Sequence, residues 1–312
     1  MQNNNKKLNF IFWGTPDVAS ETLEILKENG YMPSLIITAP DKPQGRKMII
    51  TPPPVKIWAI ENNIPYLQPE KLDKKELDVV FKSIAQADEP SIANFQQEIM
   101  CGFKNNSQPF LSIVVAYGKI IPEDIINMPK FGSINIHYSL LPKYRGASPV
   151  ESAILNGETE TGISIQKMEY KMDTGPIIAV EKVEIGNEEK AGELRKRLIK
   201  IGGELLIKTL KTPSAFGHSP FAGGEKQDES QATYCKKIKK EDGLVDLGAE
   251  LPSELYNKFR AYATWPRTFF FKDGKRIIIT DAKLENGEFK ILKIIPEGSK
   301  EMEYKNGERE IK

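Results

Sequence analysis

Two histidines and two cysteines in 312 residues leave little room for metal or redox chemistry. Cys101 and Cys235 stand far apart with no partner at ligand spacing, which argues against a structural disulfide and against a zinc site. No apolar run approaches the ~20 residues of a membrane-spanning helix. The opening Met1-Gln2-Asn3-Asn4-Asn5-Lys6-Lys7 lacks the apolar stretch of a signal peptide, so the expected compartment is the cytoplasm. Charge of one sign is not in excess either. A net charge of +1, with 28% charged and 39% hydrophobic residues, describes an ordinary globular chain and argues neither for nor against nucleic acid. A dinucleotide fingerprint is missing: the first strand-to-helix turn has only Gly14 where G-x-G-x-x-G is needed, which disfavours a dehydrogenase.

What is present begins with Leu8 to Trp13, an apolar run that reads as a buried strand. Thr15 is then a candidate N-cap with Pro16 at the first helical position. Ala19, Leu23 and Leu26 follow at helical spacing, Gly30 ends the helix, and Ser34 to Thr38 is the next strand. Strand, helix, strand opens an α/β sheet. Residues 39 to 56 form a Pro-rich loop, Lys56 to Asn62 a helix and Ile64 to Leu67 a short strand. Lys74 to Ala87 and Ser91 to Phe103 read as helical, and Leu111 to Tyr117 as a central strand. Later, Pro176 to Ile185 is a strand. Glu188 to Leu210 is a long helix with an apolar face of Leu194, Leu198, Ile201, Leu205 and Leu206, interrupted by Gly202-Gly203 where close packing is expected.

Residues 212 to 231 have a linker composition of Gly, Pro, Ser and charge. Beyond them, Thr268 to Phe271, Arg276 to Ala282 and Phe289 to Ile295 read as strands separated by Asp273-Gly274 and Asn286-Gly287 turns. The expected division is a large domain over 1–211, a linker over 212–233 and a small domain over 234–312. That last stretch holds 17 Lys and Arg against 14 Asp and Glu, a mild excess of the sign RNA would require.

The chemistry concentrates between Ile134 and Asp173. Residues 133 to 138 alternate, so Asn135 and His137 share one face at the end of a strand. A loop ends at Pro142. Ser148, Pro149 and Glu151 then mark a helix start with a capping box, and Gly157 its end. The strand Gly162 to Met168 leads to a turn at Asp173-Thr174-Gly175-Pro176, which can bring Asp173 back towards His137. His218 lies in loop-like sequence, which leaves His137 as the acid–base candidate. No G-x-S-x-G elbow surrounds Ser139. An amide for an oxyanion, an imidazole near neutrality and a carboxylate to orient it fit direct transfer of an acyl-level group to an amine.

The run Asn135-Ile136-His137, Ser139-Leu140-Leu141-Pro142, Tyr144-Arg145-Gly146 and Asp173-Thr174-Gly175 resembles the formyltransferases that use 10-formyltetrahydrofolate. Gly14-Thr15-Pro16-Asp17, Tyr234-Cys235-Lys236-Lys237-Ile238, Val245-Asp246, Arg260-Ala261-Tyr262 and Trp265-Pro266 resemble the methionyl-tRNA branch of that family. The resemblance implies a Rossmann-like formyltransferase domain followed by a smaller OB-like β-barrel, here shortened by about a hairpin. It implies that Asn135, His137 and Asp173 are catalytic, with no metal. Ser139, Leu140, Leu141 and Pro142, with Tyr117 to Ile121, would line the site of the 10-formyltetrahydrofolate co-substrate. Arg46 and Lys47 would approach the acceptor end of methionyl-initiator tRNA, and the protein would act as a monomer. Tyr138 stands where the family carries a small residue, and residues 88–107 read as an insertion. Two rivals share these features: a formyltransferase acting on an amino-sugar nucleotide, and an RNA-binding relative without turnover.

Overall fold

The computed structural model describes residues 8–45, 47–72, 110–212 and 223–304. Arg46, Cys101, His218, the two helices expected over 74–103 and the insertion expected at 88–107 lie outside these ranges. Packing divides the chain into two compact units that interleave along the sequence. The first comprises Met1–His137, Ile163–Glu181 and Ile199–Glu229, and the second Tyr138–Gly162, Lys182–Leu198 and Ser230–Lys312.

In chain order the elements up to the end of the long helix are β1 (Phe10–Gly14), α1 (Asp17–Glu28), β2 (Leu35–Ile37), β3 (Lys42–Gln44), β4 (Ile49–Thr51), α2 (Pro54–Glu61), β5 (Tyr66–Leu67), β6 (Leu111–Val115), α3 (Glu123–Ile126), β7 (Ser133–His137), β8 (Arg145–Gly146), α4 (Pro149–Leu155), β9 (Glu160–Lys167), β10 (Ile177–Glu184) and α5 (Ala191–Lys211). A seven-stranded sheet has the order β10-β9-β7-β6-β1-β2-β5. The pairs from β7 through β6, β1 and β2 to β5 are parallel, and β7 with β9 is antiparallel. All five residues of β1 and of β6 are buried, as expected of strands covered on both faces. Ile11, Trp13, Leu35, Ile37, Val114, Tyr117 and Ile125 belong to one core cluster, with the Trp13 and Tyr117 rings edge to face at 5.4 Å.

Two glycines make this packing possible. A Cβ on Gly14 would lie 2.5 Å from that of Ala19, so α1 follows β1 closely only because the turn residue has none. A Cβ on Gly203 would lie 2.7 Å from Ile25 Cδ1, which accounts for that glycine in the middle of α5.

Several local expectations are corrected. Thr15 does not cap α1. Pro16 is the N-cap residue, and the Thr15 hydroxyl instead donates to the Tyr117 carbonyl at 2.8 Å, tying the β1 turn to the β6 turn. Ser148 does precede α4, with Pro149 at its first position, but its side chain makes no capping bond. Glu151 is buried and pairs with Arg195, because a buried carboxylate is stabilised more by a guanidinium than by a backbone amide. The Pro-rich stretch is not wholly irregular: β3 and β4 form a hairpin within it. Gly157 stands just past the end of α4 with φ +67°, as a helix-terminating glycine should.

In the second unit the remaining elements are β11 (Tyr234–Cys235), α6 (Pro252–Ala261), β12 (Phe269–Lys272), β13 (Lys275–Glu285), β14 (Glu288–Pro296) and β15 (Met302–Glu303). β12 to β15 form an antiparallel sheet in sequence order, with a register shift near Asp281, and Leu244 bridges Phe269 at its edge. Leu255, Tyr256 and Phe259 of α6 share a core with Phe270, Ile277, Ile279 and Ile294 of the sheet. The helix was not foreseen, since its apolar positions are few and lie between charged residues. No helix among the described residues is long and apolar enough to cross a membrane.

Candidate active site

β1, β6 and β7 are neighbouring parallel strands, so their carboxyl ends lie along one edge of the sheet. In an open α/β sheet that edge is where ligands bind. β7 ends there with Asn135 and His137, and alternation puts both side chains on the same face. β9 runs antiparallel beside it in a register that sets Asn135 opposite Gln166 and His137 opposite Ser164. Opposed residues of paired strands share a face, so four polar side chains form one patch.

The turn after β9 returns Asp173 to this patch. His137 Nδ1 and Asp173 Oδ2 are 3.7 Å apart, an ion-pair distance longer than a hydrogen bond, and both side chains are nearly buried. Asp173 has φ +54°, the left-handed region that few residues other than glycine adopt. Gly175 follows because a Cβ there would collide with the Lys167 carbonyl. Asn135, His137 and Asp173, the residues singled out from the sequence, are thus brought together within the first unit.

Two further residues were not found from sequence. Gln166 Nε2 donates to Asp173 Oδ1 at 2.9 Å. Gln227 Nε2 donates to the Asp173 carbonyl at 2.9 Å and the Gly175 carbonyl at 2.7 Å, and lies 3.4 Å from Gln166 Oε1. A signal for Gln166 existed in Ile163-Ser164-Ile165-Gln166, where the polar residues alternate with apolar ones. Gln227 sits in a polar stretch with no pattern at all.

The carboxyl edge continues at β6, where Tyr117 is buried and burial pushes its phenol above the usual range. Lys119 beyond it donates to the Pro69 and Glu70 carbonyls, at 2.8 and 3.1 Å, and so is tied down. The stretch Ser139 to Pro142 belongs to the second unit. Ser139 is fully buried and its hydroxyl donates to the Lys143 carbonyl at 2.6 Å, closing a tight turn. Leu141 and Tyr138 are buried as well, whereas Leu140 and Pro142 keep some exposure. Lys47 is exposed in the β3–β4 hairpin, next to Met48, Ile49 and Ile50, which are 67%, 61% and 69% exposed. A cavity of about 370 Å³ lies in the second unit, lined by residues such as Lys190, Lys196, Arg267 and Thr280. None of the triad residues lines it.

A sheet of parallel strands with an amide and an imidazole at their carboxyl edge, and a carboxylate returned beside them, is the framework of an α/β enzyme. Residues 6–210 match the family described as formyl transferase, and residues 237–299 match the formyl transferase C-terminal domain. The chain belongs to the formyl transferase family. It is 38% identical over 288 residues to the methionyl-tRNA formyltransferase of Caldicellulosiruptor saccharolyticus, covering 90% of this chain and 82% of that one. Its fold is similar to that of a methionyl-tRNA formyltransferase from Clostridium thermocellum, with a TM-score of 0.56, 19% identity and coverage of 95% and 100%. It is similar too to WlaRD, a sugar 3N-formyl transferase solved in the presence of dTDP and 5-N-formyl-THF, with a TM-score of 0.58, 19% identity and coverage of 90% and 88%.

Proposed function

We propose that this protein transfers the formyl group of 10-formyltetrahydrofolate to the α-amino group of methionyl-initiator tRNA. The observation that carries this reading is the convergence of Asn135, His137 and Asp173 in a chain whose identity to a methionyl-tRNA formyltransferase extends over nine-tenths of its length. The neutral amine attacks the formyl carbon, and the bond from that carbon to N10 breaks. The amine loses one proton and N10 gains one, so the site needs only to move a proton and to hold a transient oxyanion.

Asn135 is only partly buried at the strand end, and its amide is not committed to a hydrogen bond among the described residues. It donates to the developing oxyanion, and His137 assists it. Asp173 orients His137 and relays the proton. The Ser139–Pro142 loop contributes to the folate site through Leu140, Pro142 and backbone groups, since the Ser139 hydroxyl is engaged within its own turn.

Lys47 approaches the acceptor end of the tRNA from the β3–β4 hairpin, and Arg46, its neighbour in sequence, shares that role. The base of that hairpin is pinned by Asp41, which accepts from Lys56 Nζ at 2.9 and 2.7 Å and from Gln68 at 2.7 Å. A cation on a pinned hairpin suits phosphate contacts.

The test is formyl transfer from 10-formyltetrahydrofolate, offered methionyl-tRNA, uncharged tRNA and an amino-sugar nucleotide in parallel. Transfer to methionyl-tRNA alone is expected, and transfer to the sugar alone would overturn the substrate assignment. Binding of RNA without any turnover would overturn the reaction. Lys47→Ala is expected to raise KM for the tRNA, leave KM for the folate unchanged and reduce the salt dependence of binding by about one unit of slope.

A further inference from the structure

The Asp173 turn adopts a conformation that its own residues disfavour. A non-glycine residue in the left-handed region costs on the order of 1 kcal/mol or more and persists only where its surroundings hold it. We infer that Gln227 is a positioning residue for Asp173, an inference that rests on the reading of Asp173 as part of the formyl-transfer site.

Three observations support the assignment. The Gln227 amide directs Nε2 at the Asp173 and Gly175 carbonyls, 2.9 and 2.7 Å away, so its two N–H groups hold the turn on both sides of Thr174. The same nitrogen lies 3.4 Å from Gln166 Oε1, and Gln166 in turn donates to the Asp173 carboxylate at 2.9 Å. Gln227 therefore fixes the backbone of Asp173, whose carboxylate is held by Gln166 and faces His137 Nδ1.

The segment is also docked by its backbone. Ile177 and Glu225 exchange two hydrogen bonds of 2.8 Å, and a Cβ on Gly224 would come within 2.8 Å of the Pro176 Cβ. Within residues 223–230, Gln227 alone is turned in, and the rest are exposed.

Gln227→Leu keeps the size of the side chain and removes both donors. Gln227→Glu keeps the shape and turns acceptors towards two carbonyls. Steady-state formyl transfer to methionyl-tRNA by the full chain is expected to show kcat reduced about 10-fold to 100-fold in either variant, the range for a misplaced catalytic group. Both KM values should stay within about twofold, as for an interaction made in the transition state only. On an Asp173→Ala background, Gln227→Leu should add less than about twofold, because a residue acting through Asp173 has nothing left to position.

Wild-type kcat in Gln227→Leu would overturn the inference, and so would recurrence of its full loss on the Asp173→Ala background. Should Gln227→Leu fold poorly by thermal unfolding, Gln227→Glu carries the same cycle. Full activity of Asp173→Ala by itself would bring down the reading of Asp173, and this inference with it.

Discussion

Asn135→Ala is expected to slow formyl transfer by about 100-fold to 1,000-fold, the usual cost of one lost oxyanion donor. His137→Ala is expected to slow it by a similar factor, since the imidazole assists at the same oxyanion. Asn135→Asp tests the role of the amide directly. The aspartate keeps the shape of the side chain at the same strand position, but it offers an acceptor and a negative charge where a negative charge develops. It should be at least as slow as Asn135→Ala. A merely structural asparagine, partly exposed at a strand end, would tolerate aspartate with little change, since substitutions away from special contacts usually fall within ~0.5 kcal/mol.

For His137 the discriminating observation is the parameter that moves. It faces Asp173 and is buried among the side chains of the sheet face, so its loss should appear in kcat while KM for methionyl-tRNA changes little. Single-turnover rates with saturating 10-formyltetrahydrofolate would read both effects free of product release. Full activity in Asn135→Ala and His137→Ala together would show that the convergence of the triad has no part in the chemistry.

Much of this site was legible in the sequence, for a reason that lies in how sheets are built. Side chains two apart on a strand share a face whatever the rest of the fold does, so Asn135 and His137 could be paired from alternation alone. The return of Asp173 followed from a turn signal that needs no tertiary knowledge. Gln166 required the pairing of β9 with β7, and strand register is set by the whole sheet rather than by local residues. Gln227 reaches the site across a long stretch of chain, and a lone inward amide leaves no periodic trace.

Local capping rules failed where burial intervened. Thr15 and Glu151 have the residue types and positions of helix-cap groups, but each lies close to a stronger partner, the Tyr117 carbonyl and the Arg195 guanidinium. Propensity is a weak guide where tertiary contacts compete with it. The same holds for α6, whose amphipathic face is short and whose Arg260 lies among its buried residues.

Arg260 is the site of the second large effect, on stability. It is 6% exposed, its Nη1 donates to the Gly186 and Glu189 carbonyls at 3.1 and 3.3 Å, and its Nη2 donates to Asn257 Oδ1 at 2.7 Å. Its guanidinium also lies 5.5 Å from the centre of the Tyr256 ring. Burial pulls its pKa down, so the charge is retained against the cost of desolvation and its partners must compensate. Arg260→Ala leaves two backbone carbonyls without their donor, at about 1–3 kcal/mol each, and a total loss of about 3 kcal/mol is expected after relief of the buried charge. Arg260→Lys should recover only part of this, because an ammonium cannot reproduce the planar fork.

The neighbouring loop adds a pH dependence. Burial raises the Glu189 carboxyl, but the Arg197 guanidinium and the Gly186 amide outweigh it and hold it below the ordinary range. A carboxyl depressed in the folded state contributes stability that is present above its unfolded value of about 4.3 and is lost as pH falls through the folded value. Glu189→Gln should therefore flatten the loss of stability below that pH and change little at neutrality beyond the lost ion pair. Urea midpoints measured for Arg260→Ala, Arg260→Lys and Glu189→Gln across that range test both statements. An Arg260→Ala midpoint equal to that of the wild type would mean that water replaces the guanidinium at the two carbonyls. The Arg260-Ala261-Tyr262 signature would then have to be explained by contact with a ligand rather than by the fold.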